Sequence, residues 1–279
     1  MFVVRRSVLV LIVLLLLSAC GGPSATLTHA ARPTPTAAPV AATAAPLPTV
    51  PPVPAVAPKP GTLEWYIRQL PQFDPPPVPQ KVTRLPLQGP ALQVNQVAVG
   101  DQRVAFITID DGWTKDPDIV TILRAAHVPF TMFLTTNAIK DDPRFFLALT
   151  SVGGQIEDHT VSHPQLSHES YEQQRHEICD NRATLTSLTW RPPTIMRAPY
   201  GLANADTLRA AASCGVHANV SWDEYAVTGS VTYQRPGGIH PGDMVLMHFD
   251  QYLKANLLAT LQAFHRDRIT PALIEDYLV

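Results

Sequence analysis

The sequence predicts an α/β protein whose parallel strands curl into a (β/α) barrel, and three observations predict it. Short apolar strands alternate with helical stretches from about residue 92 onward, which implies a parallel sheet. One of those strands, Val104-Ala105-Phe106-Ile107-Thr108-Ile109, is almost unbroken apolar sequence, as a strand covered on both faces must be. Polar residues recur at the carboxyl ends of strands, at Asp110, Asp111, His159, Arg197, Asp223 and His248, where barrels of this kind collect their chemistry.

The chain has 279 residues, and the part before the barrel divides by composition. Residues 1–19 read as a secretory leader: Arg5 and Arg6 give a positive start, and Ser7 to Leu17 is an apolar stretch too short to span a bilayer comfortably. It ends in Leu17-Ser18-Ala19-Cys20, which resembles the cleavage box of bacterial lipoproteins, so Cys20 is the expected lipidation site. The alternative is ordinary cleavage after Ala19 and a free secreted protein. Residues 20–60 are rich in Pro, Ala and Thr, bury no core, and read as a disordered tether that reaches on the order of 100 Å. Residues 61–91 are transitional: Leu63 to Leu70 suits a short helix, and Pro71, Pro75, Pro76, Pro77 and Pro79 stop it.

Residues 92–279 carry the globular pattern. Leu92 to Val99 suits a strand, and Gly100-Asp101 a tight turn into the strand at 103–109. Asp116-Pro117 opens a helix through about Ala126, with Asp as cap and Pro in the first turn; Asp142-Pro143 repeats the device. Phe130 to Leu134 and Gln155 to Asp158 are strands. Ser170 with Gln173 reads as a capping box for a helix through about Leu188. Strands follow at Thr194 to Arg197, His217 to Trp222 and Met244 to His248. Helices follow at Asp206 to Cys214, ended by Gly215, and at Leu253 to Arg268. Thr270-Pro271 reads as the start of a last short helix. The formal net charge of −2 carries no basic stripe, which argues against nucleic acid as a partner.

The chemistry-bearing pattern begins where the apolar strand runs into Asp110-Asp111-Gly112. Adjacent carboxylates repel, and a cation relieves that repulsion, although two acids alone also suit a loop start or a helix cap. His159-Thr160-Val161-Ser162-His163 holds two imidazoles four apart, which one helical turn would face the same way. Two histidines and one acid with open positions make a hydrolytic metal site, usually zinc-like. His29, His127, His168, His176, His217, His240 and His265 match no ligand pattern.

In this order the motifs resemble those of the polysaccharide deacetylase family, the NodB-homology domain of carbohydrate esterases, over about residues 95–250. Thr108 to Gly112 is similar to its first motif and His159 to His163 to its second. Arg197-Ala198-Pro199-Tyr200 is similar to the third, and Leu246-Met247-His248 to the fifth. The resemblance implies a distorted (β/α) barrel that removes N-acetyl groups from a glycan. It implies that Asp111, His159 and His163 hold a divalent metal, zinc first, with cobalt, manganese or magnesium as alternatives. The metal would activate a water and polarise the acetamide carbonyl. Asp110 would be the general base, with Arg197 holding it ionised. The Tyr200 N–H would stabilise the oxyanion, and His248 would be the general acid. Leu246, Pro199 and Trp113 would contact substrate, Leu246 at the acetyl methyl and Trp113 at a sugar ring. The sequence departs at the fourth motif: Trp222 is followed directly by Asp223 and Glu224, and Tyr225 stands where an acid is expected to tune His248. An O-acetyl esterase, a small-substrate amidase or a glycan-binding module of low turnover are the other readings. With Cys20 lipidated, Cys179 and Cys214 are an even pair on successive helices in an oxidising compartment, so a disulfide is expected over two buried thiols. The whole is expected to be a monomer exported across the cytoplasmic membrane and lipid-anchored at the cell envelope, with an acetylated glycan as its substrate.

Overall fold

The central strand β2 (Val104–Asp111) organises the fold, because its alternation feeds two cores. Ala105, Ile107 and Ile109 point outward into a cluster with helix residues Ile119, Ile122, Phe146, Leu257, Leu261 and Phe264. Val104 and Phe106 point inward, into a cluster with Phe133, Ile195, Val220, Met244 and Tyr277. The same alternation leaves Thr108 and Asp110 on the inner face, both buried. The structure, a computed structural model, describes residues 57–279. The expected leader, Cys20 and nearly all of the tether lie outside the described residues.

Along the chain, α1 (Leu63–Arg68) precedes β1 (Leu92–Val94) and β2, followed by α2 (Pro117–Ala126), β3 (Phe130–Leu134), α3 (Thr136–Ile139), α4 (Pro143–Thr150) and β4 (Gly154–Asp158). Then come α5 (Tyr171–Thr189), β5 (Ile195–Met196), α6 (Ala205–Ser213), β6 (Ala218–Val220), β7 (Glu224–Val227), β8 (Ser230–Tyr233), β9 (Met244–His248), α7 (Leu253–Arg266) and β10 (Thr270–Ala272). Helix starts follow their caps: Asp116 accepts from the Asp118 N–H, Asp142 from that of Phe145, and Ser170 with Gln173 closes a full capping box. The strand order is β1-β6-β5-β4-β3-β2-β9-β7-β8, with β10 pairing β2 off that path. All pairs are parallel except the β7/β8 hairpin. The sheet curls into an open half-barrel rather than a closed ring, the distorted barrel that the sequence predicts.

Three local expectations are corrected. Thr270-Pro271 opens a strand, β10, because its backbone pairs with Val104–Phe106. The strand expected over Leu92 to Val99 pairs only as far as Val94. The β7/β8 hairpin went unread because its turn, Thr228-Gly229, follows a segment that looked like motif and not like strand. The segment before β1 is stitched on by backbone bonds: Thr83 donates to Tyr277 O and accepts from Val279, and Leu85 donates to Val279 O. Among the described residues no helix is long and apolar enough to cross a membrane.

Cys179 of α5 and Cys214, the residue that caps α6, form a disulfide across 5.0 Å of Cα separation, as expected. It closes a loop with a sequence separation of 35, so loop-closure entropy predicts that Cys179→Ser/Cys214→Ser is destabilised by about 3–4 kcal/mol in urea unfolding. Thiol titration of the unreduced, denatured protein should find neither of these two cysteines free.

Candidate active site

Register brings the site together at the carboxyl ends of four strands. In the β2/β3 and β3/β4 ladders Asp111 pairs with Leu134 and Leu134 with Asp158, so Asp111 and the residue after Asp158, His159, end two strands apart at one level. Asp110 pairs with His248 on the other side. Past these strand ends the backbone leaves ordinary conformations. Asp111 has φ 78° and Gly112 φ 114°; Thr160 has φ 70°, His163 φ 63° and Tyr200 φ 59°. A side chain on Gly112 would meet Ile139 at 2.6 Å, so only glycine fits under that turn.

The two histidines do not face the same way because of a helix. Residues 159–163 form a loop with two left-handed positions, which corrects the one-turn expectation. Neighbours hold the loop. Thr135 Oγ1 donates to His159 O at 2.8 Å, and the Thr160 N–H donates to Asp158 Oδ1 at 2.9 Å. Ser162 donates both its N–H and its hydroxyl to the Glu177 carboxylate. Asn181 of α5, fully buried, donates to Leu134 O and to Asp158 Oδ1 and accepts from Thr136. Asn181 and Asp158 are supporting residues that sequence reasoning missed. Their one signal is a polar residue on the apolar side of a helix and an acid at the end of a buried strand. Burial pushes the Asp158 carboxyl up to about 7, against the bonds from Thr160 and Asn181.

The result is a three-sided donor set. Asp111 Oδ1 lies 3.4 Å from His159 Nε2 and 3.2 Å from His163 Nε2. Two atoms bound to one tetrahedral zinc at 2.0–2.1 Å sit about 3.3 Å apart, so the spacing fits a shared cation. Asp111 Oδ1 is buried with no hydrogen-bond partner, an orphan that a cation would satisfy. His159 Nδ1 lies 2.6 Å from the Arg197 carbonyl; it must donate there, which leaves Nε2 with its lone pair toward Asp111. The His163 ring packs edge-on against Tyr200, centroids 4.7 Å apart.

Beside this set lies a second, separate device. Arg197 is fully buried, and so is Asp110. Nη1 donates to Asp110 Oδ1 and to Thr108 Oγ1, both at 2.8 Å, and Nη2 donates to Ser221 O at 2.9 Å. The guanidinium also stands 4.4 Å over the Phe133 ring. A surface pair of Arg197 with Asp206 or Glu224 is therefore excluded; Asp206 pairs with Arg209 instead. Thr108 was read only as part of a motif. It relays the contact onward by donating to Val245 O.

The remaining expected residues line the rim. Trp113 is 55% exposed, Leu246 and Pro199 are buried, and Tyr200 is exposed. The Tyr200 N–H stays out of its turn's hydrogen bonds, which run from Gly201 to Ala198 O and from Leu202 to Pro199 O. Trp222, Tyr225, Leu246 and His248 share a cavity of about 310 Å³ at the carboxyl end of β9. Neither acid of the altered fourth motif holds His248. Asp223 Oδ2 accepts the Met244 N–H at 3.0 Å, and burial pushes its carboxyl up to about 6. Glu224 Oε2 accepts from the Gln234 N–H at 2.7 Å.

Comparison with known proteins follows this geometry. A family model described as polysaccharide deacetylase matches residues 98–219. An uncharacterized protein of Streptomyces coelicolor is 33% identical over 64% of this chain and 74% of its own length. A chitooligosaccharide deacetylase of Bradyrhizobium sp. is 29% identical over 68% of this chain and 89% of its own length. Among solved structures, a carbohydrate esterase family 4 pseudoenzyme from Bacillus anthracis aligns with a TM-score of 0.58 at 18% identity, covering 68% of this chain and 69% of that one, a likeness of fold.

Removing Arg197 leaves Asp110 as an uncompensated buried charge. Arg197→Met should lower unfolding free energy by about 3–5 kcal/mol in urea titrations. The double variant Arg197→Met/Asp110→Leu should recover most of that loss, because an apolar pair of similar volume needs no counter-charge.

Proposed function

Because this chain belongs to the polysaccharide deacetylase family, we propose that it is a metal-dependent hydrolase that removes N-acetyl groups from an envelope or extracellular polysaccharide. The observation that carries this is the pairing of an Arg-held carboxylate with an Asp-His-His set around an orphaned oxygen. Asp111, His159 and His163 would hold the ion, zinc first by their mixed oxygen and nitrogen donors. When bound, the ion polarises the amide carbonyl and makes a water a competent nucleophile near neutral pH.

The chain's own residues do the rest. Arg197 occupies Asp110 Oδ1, so the proton from the attacking water is taken at Oδ2, which faces His159 at 3.8 Å. The same ion pair keeps Asp110 charged and in one rotamer, and a general base needs both. The Tyr200 N–H, free of its own turn, faces the developing oxyanion. His248, across the ladder from Asp110, donates the proton that lets the amine leave. Leu246 takes the acetyl methyl, Pro199 borders it, and Trp113 offers its exposed ring to a sugar.

A glycan-binding module of low turnover is the second reading. It is favoured by one observation: Asp223 and Glu224 are both committed to backbone N–H groups and leave His248 without a carboxylate partner. Acetate release from N-acetylated chito-oligosaccharides, peptidoglycan and acetylated xylan separates the readings. Bound metal with no release supports the module, and release from O-acetyl esters alone supports an esterase. Export and lipid anchoring at Cys20 belong to the same proposal, supported by the Leu17-Ser18-Ala19-Cys20 box.

Asp110→Asn should keep the metal and lose about 10²–10⁴ of the turnover rate, the range for a general base. His159→Ala should lose both metal and activity; unchanged metal content in that variant would show the ligand assignment to be wrong. Cys20→Ala should move the protein from the detergent phase to the aqueous phase on detergent partitioning, and an equal partition of both forms would remove the anchor.

A further inference from the structure

At the opposite end of β9 from His248, three other side chains repeat the geometry of the first donor set. Glu224 opens β7, Asp243 immediately precedes β9, and His240 lies in the loop that leads to it. One donor atom from each of the three lies within 4.8 Å of the others, as it does for Asp111, His159 and His163. His240 Nδ1 and Asp243 Oδ2 are 3.5 Å apart, close to the roughly 3.3 Å of two ligands on one tetrahedral ion.

Two of the donors have nothing to bind. Glu224 is fully buried, and its Oε1 has no hydrogen-bond partner; His240 Nδ1 is likewise buried and unpartnered. Buried polar atoms are rarely left so, because nothing replaces the water they lose. The other atoms are in use: Glu224 Oε2 takes the Gln234 N–H, Asp243 Oδ1 takes Arg235 and Gln96, and Asp243 Oδ2 takes the His240 N–H. Charge points the same way. Asp223 is within coulombic reach of both Glu224 and Asp243; the three carboxylates share Arg235, and Arg197, which also reaches Asp223, is already paired with Asp110. A dication would close that balance.

We propose that Glu224, His240 and Asp243 form a second divalent-cation site, distinct from the Asp111 set and structural in role. Two carboxylate oxygens and one imidazole suit a borderline ion of the zinc class. The ion would pin the loop before β9 to the base of β7, and so set the position of the strand that carries His248.

The test is metal stoichiometry on the chelator-stripped full chain, dialysed against zinc and measured by elemental analysis, with circular dichroism to check the fold. His240→Ala should hold one zinc fewer than the wild type and still release acetate, whereas His159→Ala/His163→Ala should keep the ion that His240→Ala loses. If His240→Ala does not fold, Glu224→Gln, which keeps shape and removes a charged ligand, should bind that ion at least tenfold more weakly. The inference is overturned if His240→Ala, or Glu224→Gln where the former does not fold, holds as much zinc as the wild type. A zinc lost in His240→Ala while the wild type itself releases no acetate would keep this site and remove the deacetylase reading.

Discussion

The ion pair between Arg197 and Asp110 constrains everything around it. Both side chains are buried, and taking two charges out of water costs more than their attraction returns unless every remaining donor and acceptor is met. Here Nη1 and Nη2 are met by Asp110, Thr108 and Ser221 O and the face by the Phe133 ring, while Nε is buried without a hydrogen-bond partner, so part of that cost remains. Those partners come from β2, from β3 and from the turn after β6. The pair can therefore form only if the sheet curls enough to bring non-adjacent strands to one point. The Arg197 backbone ties in the Asp111-His159-His163 side as well, since its carbonyl receives the His159 Nδ1–H and fixes that ring's tautomer.

Backbone strain gathers at the same place, which holds four of the eight non-glycine residues with positive φ among the described residues. Asp111, Thr160, His163 and Tyr200 all hold left-handed backbone, a conformation that costs a non-glycine residue on the order of 1 kcal/mol or more. Each is held by what surrounds it. Glu177 of α5 grips the 159–163 loop, Asn181 of the same helix holds Asp158 just before it, and the Cys179–Cys214 disulfide, two residues from each of them, ties that helix to α6. The disulfide is thus not remote from function: it braces the helix on which the histidine loop rests.

Legibility in the sequence followed the range of the forces involved. The caps at Asp116, Asp142 and Ser170 act within four residues and were readable, as was the apolar run of β2. The grouping of Asp111 with His159 and His163 was readable because these residues fall in motif order. What escaped depends on partners far away in sequence. Thr270-Pro271 became a strand through pairing with Val104, and Asn181 matters only because β3 and β4 end beside it. His240 carries no spacing signal toward Glu224, sixteen positions earlier in a segment read as a broken motif. The one-turn reading of His159 and His163 reached the right neighbours by the wrong geometry, since two residues with positive φ replace the helix.

The two flanks of the site are built differently, and that difference has a consequence. On the β2–β4 flank, acid, imidazoles and guanidinium are interlocked by buried hydrogen bonds, so their positions are over-determined. On the β9–β7 flank, His248 ends β9 beside a cavity that it shares with Trp222 and Tyr225, and neither Asp223 nor Glu224 orients its ring. In the general-acid role proposed for His248, a group that gives a proton to a departing amine regains one from solvent, and the half-buried ring keeps that contact. Its geometry then depends on where β9 lies, and β9 is held by its ladder to β2 and by the Asp223 and Asp243 contacts at its base. The acids that no longer tune the histidine directly are placed to anchor the strand that presents it.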